Sequence, residues 1–229
     1  MTTTRRWWAF ERGALWAIDS TAPTRVPAPR AVVAFGQAGP ETAGPLATAM
    51  GMPGAAAVAE RFTAERRCYV AWDGDRIAAY GWASRGRECV GELERAFQMA
   101  PDEAYIWDCM TLPEYRGRGL YSALLAYILV ELRDAGVRRT WIGASLDNRP
   151  SIKGFMNAGF QPTIKLVYGR LLALHCAWII AYPNTPDLLV AAARRMIIAE
   201  DERVIGPLMV GFRWSSGVRS QESEDVADA

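Results

Sequence analysis

Arg116-Gly117-Arg118-Gly119 stands between an apolar run, Tyr105 to Thr111, and a second apolar run that begins at Leu120. Two arginines and two glycines at that spacing make an anion site. Glycine allows an anion close to the main chain, arginine offers paired N–H donors, and the first turn of a following helix leaves amide N–H groups free. The chemistry predicted is phosphate binding at Arg116-Gly117-Arg118-Gly119 and the helix N-terminus that follows. The same residues also suit a solvated strand-to-helix turn whose glycines serve geometry alone.

Other residues able to do chemistry are few. Asp108 falls among Ile106, Trp107, Cys109 and Met110, where an unpaired carboxylate is costly, so it calls for an ion partner or a role as a base. Cys109 beside it reads as a small core residue, because the only histidine, His175, is far along the chain. That count excludes a histidine-rich metal site and any Ser-His-Asp triad not using His175. No metal is expected. The four cysteines are scattered without a CxxC pair, and with a formal net charge of +1 no global field recruits nucleic acid. The N-terminus has no apolar run of signal length, and the most apolar window, Leu166 to Tyr182, is interrupted by Arg170 and His175. Neither reads as an integral membrane segment, which leaves a cytoplasmic protein as the expectation.

These residues need elements to hold them. A buried strand over 105–111, a proline exit at Pro113 and a helix over 118–135 closed by Gly136 bracket the basic loop. Arg139 to Leu146 reads as a strand, and Asn148 to Ala158 as a helix with Asn148 as N-cap. Upstream, Cys68 to Trp82 around Asp73-Gly74-Asp75 is a hairpin. Residues 5–18 read as a hairpin turning at Glu11-Arg12-Gly13, residues 19–30 as a linker, 31–35 as a strand, and 41–50 and 54–66 as two helices. A strand near 88–94, strand material over 160–175, a helix over 186–200 and a strand over 204–214 follow. The acidic tail from Ser215 reads as disordered. Trp7, Trp8 and Trp16 read as packing, with a lid over a bound group as the other reading.

Taken in order, these elements resemble the GNAT acyltransferase superfamily, the Gcn5-related N-acetyltransferases, over roughly 31–175. Two motifs carry the resemblance. Pro113-Glu114-Tyr115-Arg116-Gly117-Arg118-Gly119-Leu120-Tyr121 is similar to the family's Arg/Gln-x-x-Gly-x-Gly/Ala loop, with Tyr121 where a small residue is usual. Asn148-Arg149-Pro150-Ser151-Ile152-Lys153-Gly154-Phe155-Met156-Asn157-Ala158-Gly159-Phe160 resembles the Asn-x-x-(Ala/Ser)-Ile-x-x-Tyr-x-x-x-Gly-Phe segment, with Phe155 where many members carry tyrosine.

The resemblance implies an α/β fold with a mixed sheet, a GNAT-like domain over 31–175, an N-terminal hairpin and linker over 1–30, and a C-terminal extension over 176–214 ahead of the tail at 215–229. It implies two parallel strands that splay, acetyl-CoA or another acyl-CoA as co-substrate, and pantetheine contacts at Met110, Thr111 and Leu112. The diphosphate would rest on Arg116 to Tyr121, while Asn148 and Ser151 face the coenzyme. Phe155 has no proton to give, which leaves Tyr121 as a candidate substitute acid; packing, or a bond to phosphate, is the preferred reading of its phenol. Asp108 is the first choice of base and Glu92, by family position, the second. Transfer of an acetyl group to a primary amine, small molecule or peptide, is the leading expectation. Longer-chain transfer from CoA or acyl carrier protein, and a non-catalytic binding module, are the others. Strands 160–175 and 204–214 can pair between subunits as readily as within one, leaving a homodimer open.

Overall fold

Gly13 does not turn a hairpin: in the computed structural model it lies within one continuous strand, β1 (Trp8–Asp19). A Cβ there would stand 3.2 Å from the carbonyl oxygen of Ala144 on the neighbouring strand, so the glycine serves close backbone approach and not reversal. The structure describes residues 8–22, 28–90, 95–171, 174–197, 203–205 and 208–212. Trp7, Glu92 and the acidic tail lie outside them.

From β2 (Ala34–Ala38) the chain passes a 3-10 turn at Pro40–Thr42 and two short helices, α1 (Ala43–Met50) and α2 (Ala55–Ala59). The second stops well short of the expected 66, and the chain instead turns at Thr63 into the next strand. The Asp-Gly signal forms as its residues dictate: β3 (Arg66–Asp73) and β4 (Arg76–Ser84) pair antiparallel about Gly74, whose φ is +57°. β5 (Arg87–Val90) and β6 (Arg95–Gln98) form a separate two-stranded ribbon.

The central strand is β7 (Glu103–Thr111), followed by α3 (Leu120–Asp134), β8 (Arg139–Ser145) and α4 (Arg149–Asn157). A hairpin of β9 (Gln161–Leu171) and β10 (Leu174–Ala181) leads to α5 (Asp187–Ile197), and the last expected strand is divided into β11 (Arg203–Ile205) and β12 (Leu208–Phe212). His175 pairs with Arg170 and Gly211 within this sheet.

Ten strands form one sheet in the order β11-β12-β10-β9-β1-β8-β7-β4-β3-β2. Only β7 and β8 run parallel among these pairs, and the α3 crossover between them supplies the length that a parallel connection needs. β1 inserts antiparallel between β8 and β9, so the N-terminal segment is an interior strand of the main sheet and not an appendage. β9, β10 and β12 pair with one another inside the chain. α3 and α4 cover one face over Trp16, Ile106, Ile142 and Phe155, while α1, α2 and α5 cover the other.

Candidate active site

β7 and β8 pair only from Glu103 with Arg139 to Ile106 with Ile142. Beyond that point β8 stays bound to β1 through Ser145, while β7 stays bound to β4. The two strands therefore part after Ile142, leaving a wedge between Trp107–Thr111 and Gly143–Ser145. What drives them apart is a bulge. Tyr80 faces Met110 and Trp82 faces Trp107, so the single residue Gly81 stands opposite both Asp108 and Cys109. Asp108 takes a φ of +44°, and a Cβ on Gly81 would press to 2.7 Å from the Cys109 sulfur. Gly81 thus makes the room that the bulge occupies.

Two cavities meet at the wedge. One, of about 830 Å³, opens over the basic loop and is lined by Thr111, Arg116 to Ser122 and one face of α4. The other, of about 820 Å³, opens between β5–β6 and the splayed strands, with Phe97, Tyr105, Trp107, Leu166 and Gly143 in its walls. Cys109, Tyr121, Asn148 and Ser151 line both.

The first cavity has the makings of an anion site. Gly117 and Gly119 both adopt φ of +77°, and Gly119 starts α3 with no side chain capping the helix. The amides of the first turn are left for a ligand, with the helix dipole behind them. Arg30, Arg116, Arg118 and Lys153 line this cavity, and among the described residues no acidic side chain does. The Thr111 hydroxyl oxygen, 9% exposed as a residue and in the cavity wall, has no hydrogen-bond partner among the described residues.

Of the three main-chain positions expected on β7, Leu112 donates its N–H to the Ala78 carbonyl at 3.0 Å and so is not free. Strand alternation then turns the Thr111 main chain the other way, toward the open wedge, and the Arg116 Nε donates to its carbonyl at 3.2 Å. Met110 faces Tyr80 across the ladder, its sulfur 3.9 Å from the phenol oxygen.

Tyr121 occupies the junction. Its ring lies flat against α4 where Gly154 has no side chain; a Cβ there would overlap the ring. The phenol hydrogen-bonds with Ser151, and burial pushes its pKa up, with Cys109 acting the same way and the Ser151 bond opposing. Phe155, 1% exposed, packs edge-on against Trp16 with centroids 5.2 Å apart and 6.2 Å from Tyr121. It belongs to the core. Asn148 accepts from the Ser151 amide at 3.3 Å, the N-cap expected of it.

Asp108 is on the bulge at the rim of the second cavity, its side chain 34% exposed, and not within a buried stretch. Its carboxylate pairs with Arg61 at 2.5 Å. Arg61 in turn lies over the rings of Trp82 and Trp107, at 6.0 and 5.6 Å. Arg66 also lies over the Trp107 ring, at 5.4 Å, and bonds twice to the buried Glu88. The Trp107 N–H donates to Ser84 at 2.6 Å, and Ser84 donates to Glu88. Trp107 is thereby fixed as a wall of the second cavity. Cys109 and Cys68 are both held protonated by burial, Cys68 up to about 12. Among the described residues no cluster could hold a metal ion, and no helix is long and apolar enough to cross a membrane.

Sequence reasoning missed Arg30, Arg61, Gly81, Lys153 and Gly154. Two had a signal: Gly81 in a strand interior and Gly154 in a helix interior each cost stability, so each marks a close approach. The three cations had none, since their partners come from distant elements.

Residues 48–160 match the model of the Acetyltransferase (GNAT) family. No curated protein matches the chain. Among solved structures, the chain is similar to a GNAT-family protein from Novosphingobium aromaticivorans DSM 12444, with 18% identity and a TM-score of 0.49 over 72% of this chain and 66% of that one. A Drosophila protein gives 13% identity and a TM-score of 0.50 over 72% of this chain and 52% of that one. AAC(6')-Iy, solved with the bisubstrate analogue CoA-S-monomethyl-acetylneamine, gives 18% identity and 0.47 over 57% and 92%. The chain thus spans just under two thirds of the first protein's length and about half of the second's. At under 25% identity such likenesses concern the fold alone.

Proposed function

We propose, from the premise that residues 48–160 are a GNAT acetyltransferase domain, that the protein transfers an acyl group, acetyl first among them, from coenzyme A to a primary amine by direct attack. The observation that carries this reading is the junction. One cavity rimmed by cations and helix amides meets, through a gap between parting strands, a second cavity walled by aromatic rings. The site needs a long anionic donor on one side and a nucleophile on the other, with the reacting carbonyl between them.

In this reading the diphosphate rests on the amides of Gly117 to Tyr121, and pantetheine runs along the open edge of β7 past Thr111. The thioester reaches Cys109 and Tyr121. A main-chain N–H on that edge polarises its carbonyl and stabilises the tetrahedral oxyanion. Much of the acceleration comes from holding amine and thioester together. As the intermediate collapses, the C–S bond breaks, Tyr121 gives its proton to the departing sulfur, and the second proton of the attacking nitrogen restores the phenol. A phenol whose pKa is raised by burial stays protonated across the neutral range, so it serves as acid and not as base. Asp108, the one acidic side chain lining either cavity among the described residues, is the carboxylate available to receive the ammonium proton. Its ion pair with Arg61 holds the carboxylate at the cavity rim.

The test is release of free thiol from acetyl-CoA across a panel of primary amines. Turnover with any of them is expected. Binding of acetyl-CoA without turnover on any amine would leave a non-catalytic module. Preference for long-chain over acetyl donors would replace acetyl in the assignment.

A further inference from the structure

The cavity on the proposed acceptor side is short of charge. Asp108 is the one acidic side chain in its wall among the described residues, and Arg61 occupies the Oδ2 of that carboxylate at 2.5 Å. The other oxygen, Oδ1, has no partner among the described residues, so the wall offers a single place to an ammonium. Arg12 lines the same cavity, is exposed and has no ion pair among the described residues. A guest with several positive charges meets that cation and one half-used carboxylate, which makes stripping its water costly.

The apolar part of the wall is selective as well. Phe97 and Tyr105 are 0% and 5% exposed and pack edge to face, whereas Trp107 is only half-buried. Trp107 is therefore the ring that a guest on this side meets. Its indole N–H is spent on Ser84, and Ser84 donates to Glu88. Glu88, 2% exposed, also accepts twice from Arg66 and once from the Cys89 amide at 3.0 Å. Trp107 thus has no donor left for a guest and shows it only an apolar ring, held at one angle by β3, β4 and β5. Such a ring favours edge-on or offset contact with another ring, worth about two- to tenfold in affinity beyond the area buried.

We propose that the acceptor is a small monoamine with a flat aromatic body, its ammonium on Asp108 Oδ1 and its ring against Trp107. This rests on the acyl-transfer reading above and names its acceptor class. The amine nitrogen bonds to the carbonyl carbon as the C–S bond breaks; the products are the N-acyl amide, the free coenzyme A thiol and one released proton. A polyamine has more charges than Asp108 can pair. A peptide brings main-chain amide groups that the rings of this wall leave unpaired. An aliphatic body of the same size fits by area but gains nothing from the edge and face of Trp107.

The test is kcat/KM from thiol release with acetyl-CoA for wild type, Trp107→Leu and Trp107→Phe. The acceptors are 2-phenylethylamine, 2-cyclohexylethylamine, spermidine and tetra-alanine; the first two share a carbon count and differ in flatness. Wild type uses 2-phenylethylamine about threefold or more better than its cyclohexyl analogue, and about a hundredfold better than spermidine or tetra-alanine. Trp107→Leu brings the two ring amines within about twofold of each other, Trp107→Phe keeps the preference, and the Kd for acetyl-CoA stays within about twofold in both. The wild-type panel decides the class even where a variant does not fold. Equal use of the two ring amines by wild type overturns the proposal, as does spermidine or tetra-alanine as the best acceptor; acyl transfer then still stands. So does a Trp107→Leu variant that slows both ring amines alike. No thiol release with these four overturns the proposal too, whereas no release across the wider amine panel overturns the transfer reading itself, a distinguishable result.

Discussion

The two cavities are nearly equal in volume and opposite in character. The first, the proposed coenzyme side, is rimmed by four cations with no acidic side chain among the described residues of its wall. In the other, the proposed acceptor side, Arg12 and Asp108 line the wall, and the Arg61–Asp108 and Arg66–Glu88 ion pairs both lie beside Trp107. Under the proposed function, the difference is how one cleft would select two partners: the donor side by charge and main-chain donors, the acceptor side by shape, through rings fixed by neighbours.

The largest effect expected from breaking this contrast is Gly119→Glu. It sets a side chain at a φ of +77° and a carboxylate where the proposed diphosphate would rest. Donor affinity falls about a hundredfold or more by calorimetry, roughly 3 kcal/mol. A loss of less than tenfold would remove the loop from the site.

Next is Tyr121→Phe, at the junction. The ring still packs on Gly154, so binding of acetyl-CoA stays within about threefold while kcat falls about ten- to a hundredfold. An equal fall in donor affinity would instead make the phenol a phosphate ligand or packing group.

Trp107→Ala acts on the acceptor side alone. The amine KM rises about tenfold, and the Kd for acetyl-CoA does not move. Should the donor Kd rise with it, the two cavities are not independent.

Most of this division could be read from the sequence on the donor side and little on the acceptor side, for a physical reason. The anion loop is local: Arg116 to Gly119, the strand before it and the helix after it are contiguous, and glycine at positive φ announces itself. The same holds for the Asn148 cap and the Asp-Gly hairpin. The acceptor wall is assembled from β1, β5, β6, β7 and β9, whose contacts no short window contains. Gly13 misled for that reason. A glycine between charged and aromatic residues suits a turn as well as a close strand crossing, and only the Ala144 carbonyl 3.2 Å away distinguishes them. Asp108 showed the same limit: its cost within a strand was foreseen, but the partner, Arg61, comes from the end of a distant helical segment.

The smallest effect probes the wall that keeps the junction dry. Cys68, on β3 behind the bulge and fully buried, has its pKa raised to about 12, first by burial and then by the charge of Asp108, with Arg61 pulling back. In the unfolded chain the thiol releases its proton above its ordinary value of 9.0, whereas in the folded chain it holds on until about 12. Between those values the unfolded state binds fewer protons, so stability is fully present below about 9 and falls as pH rises through that window. At pH 10 the loss from this one thiol is on the order of 1 kcal/mol. Urea unfolding at pH 7 and pH 10, for wild type and Cys68→Ala, isolates it. The variant is less stable at pH 7 through lost packing, yet its decline toward pH 10 is shallower by that amount. Parallel declines would mean that water reaches β3 behind Asp108, and the acceptor wall would then be wet where the contrast with the donor side requires it to be sealed.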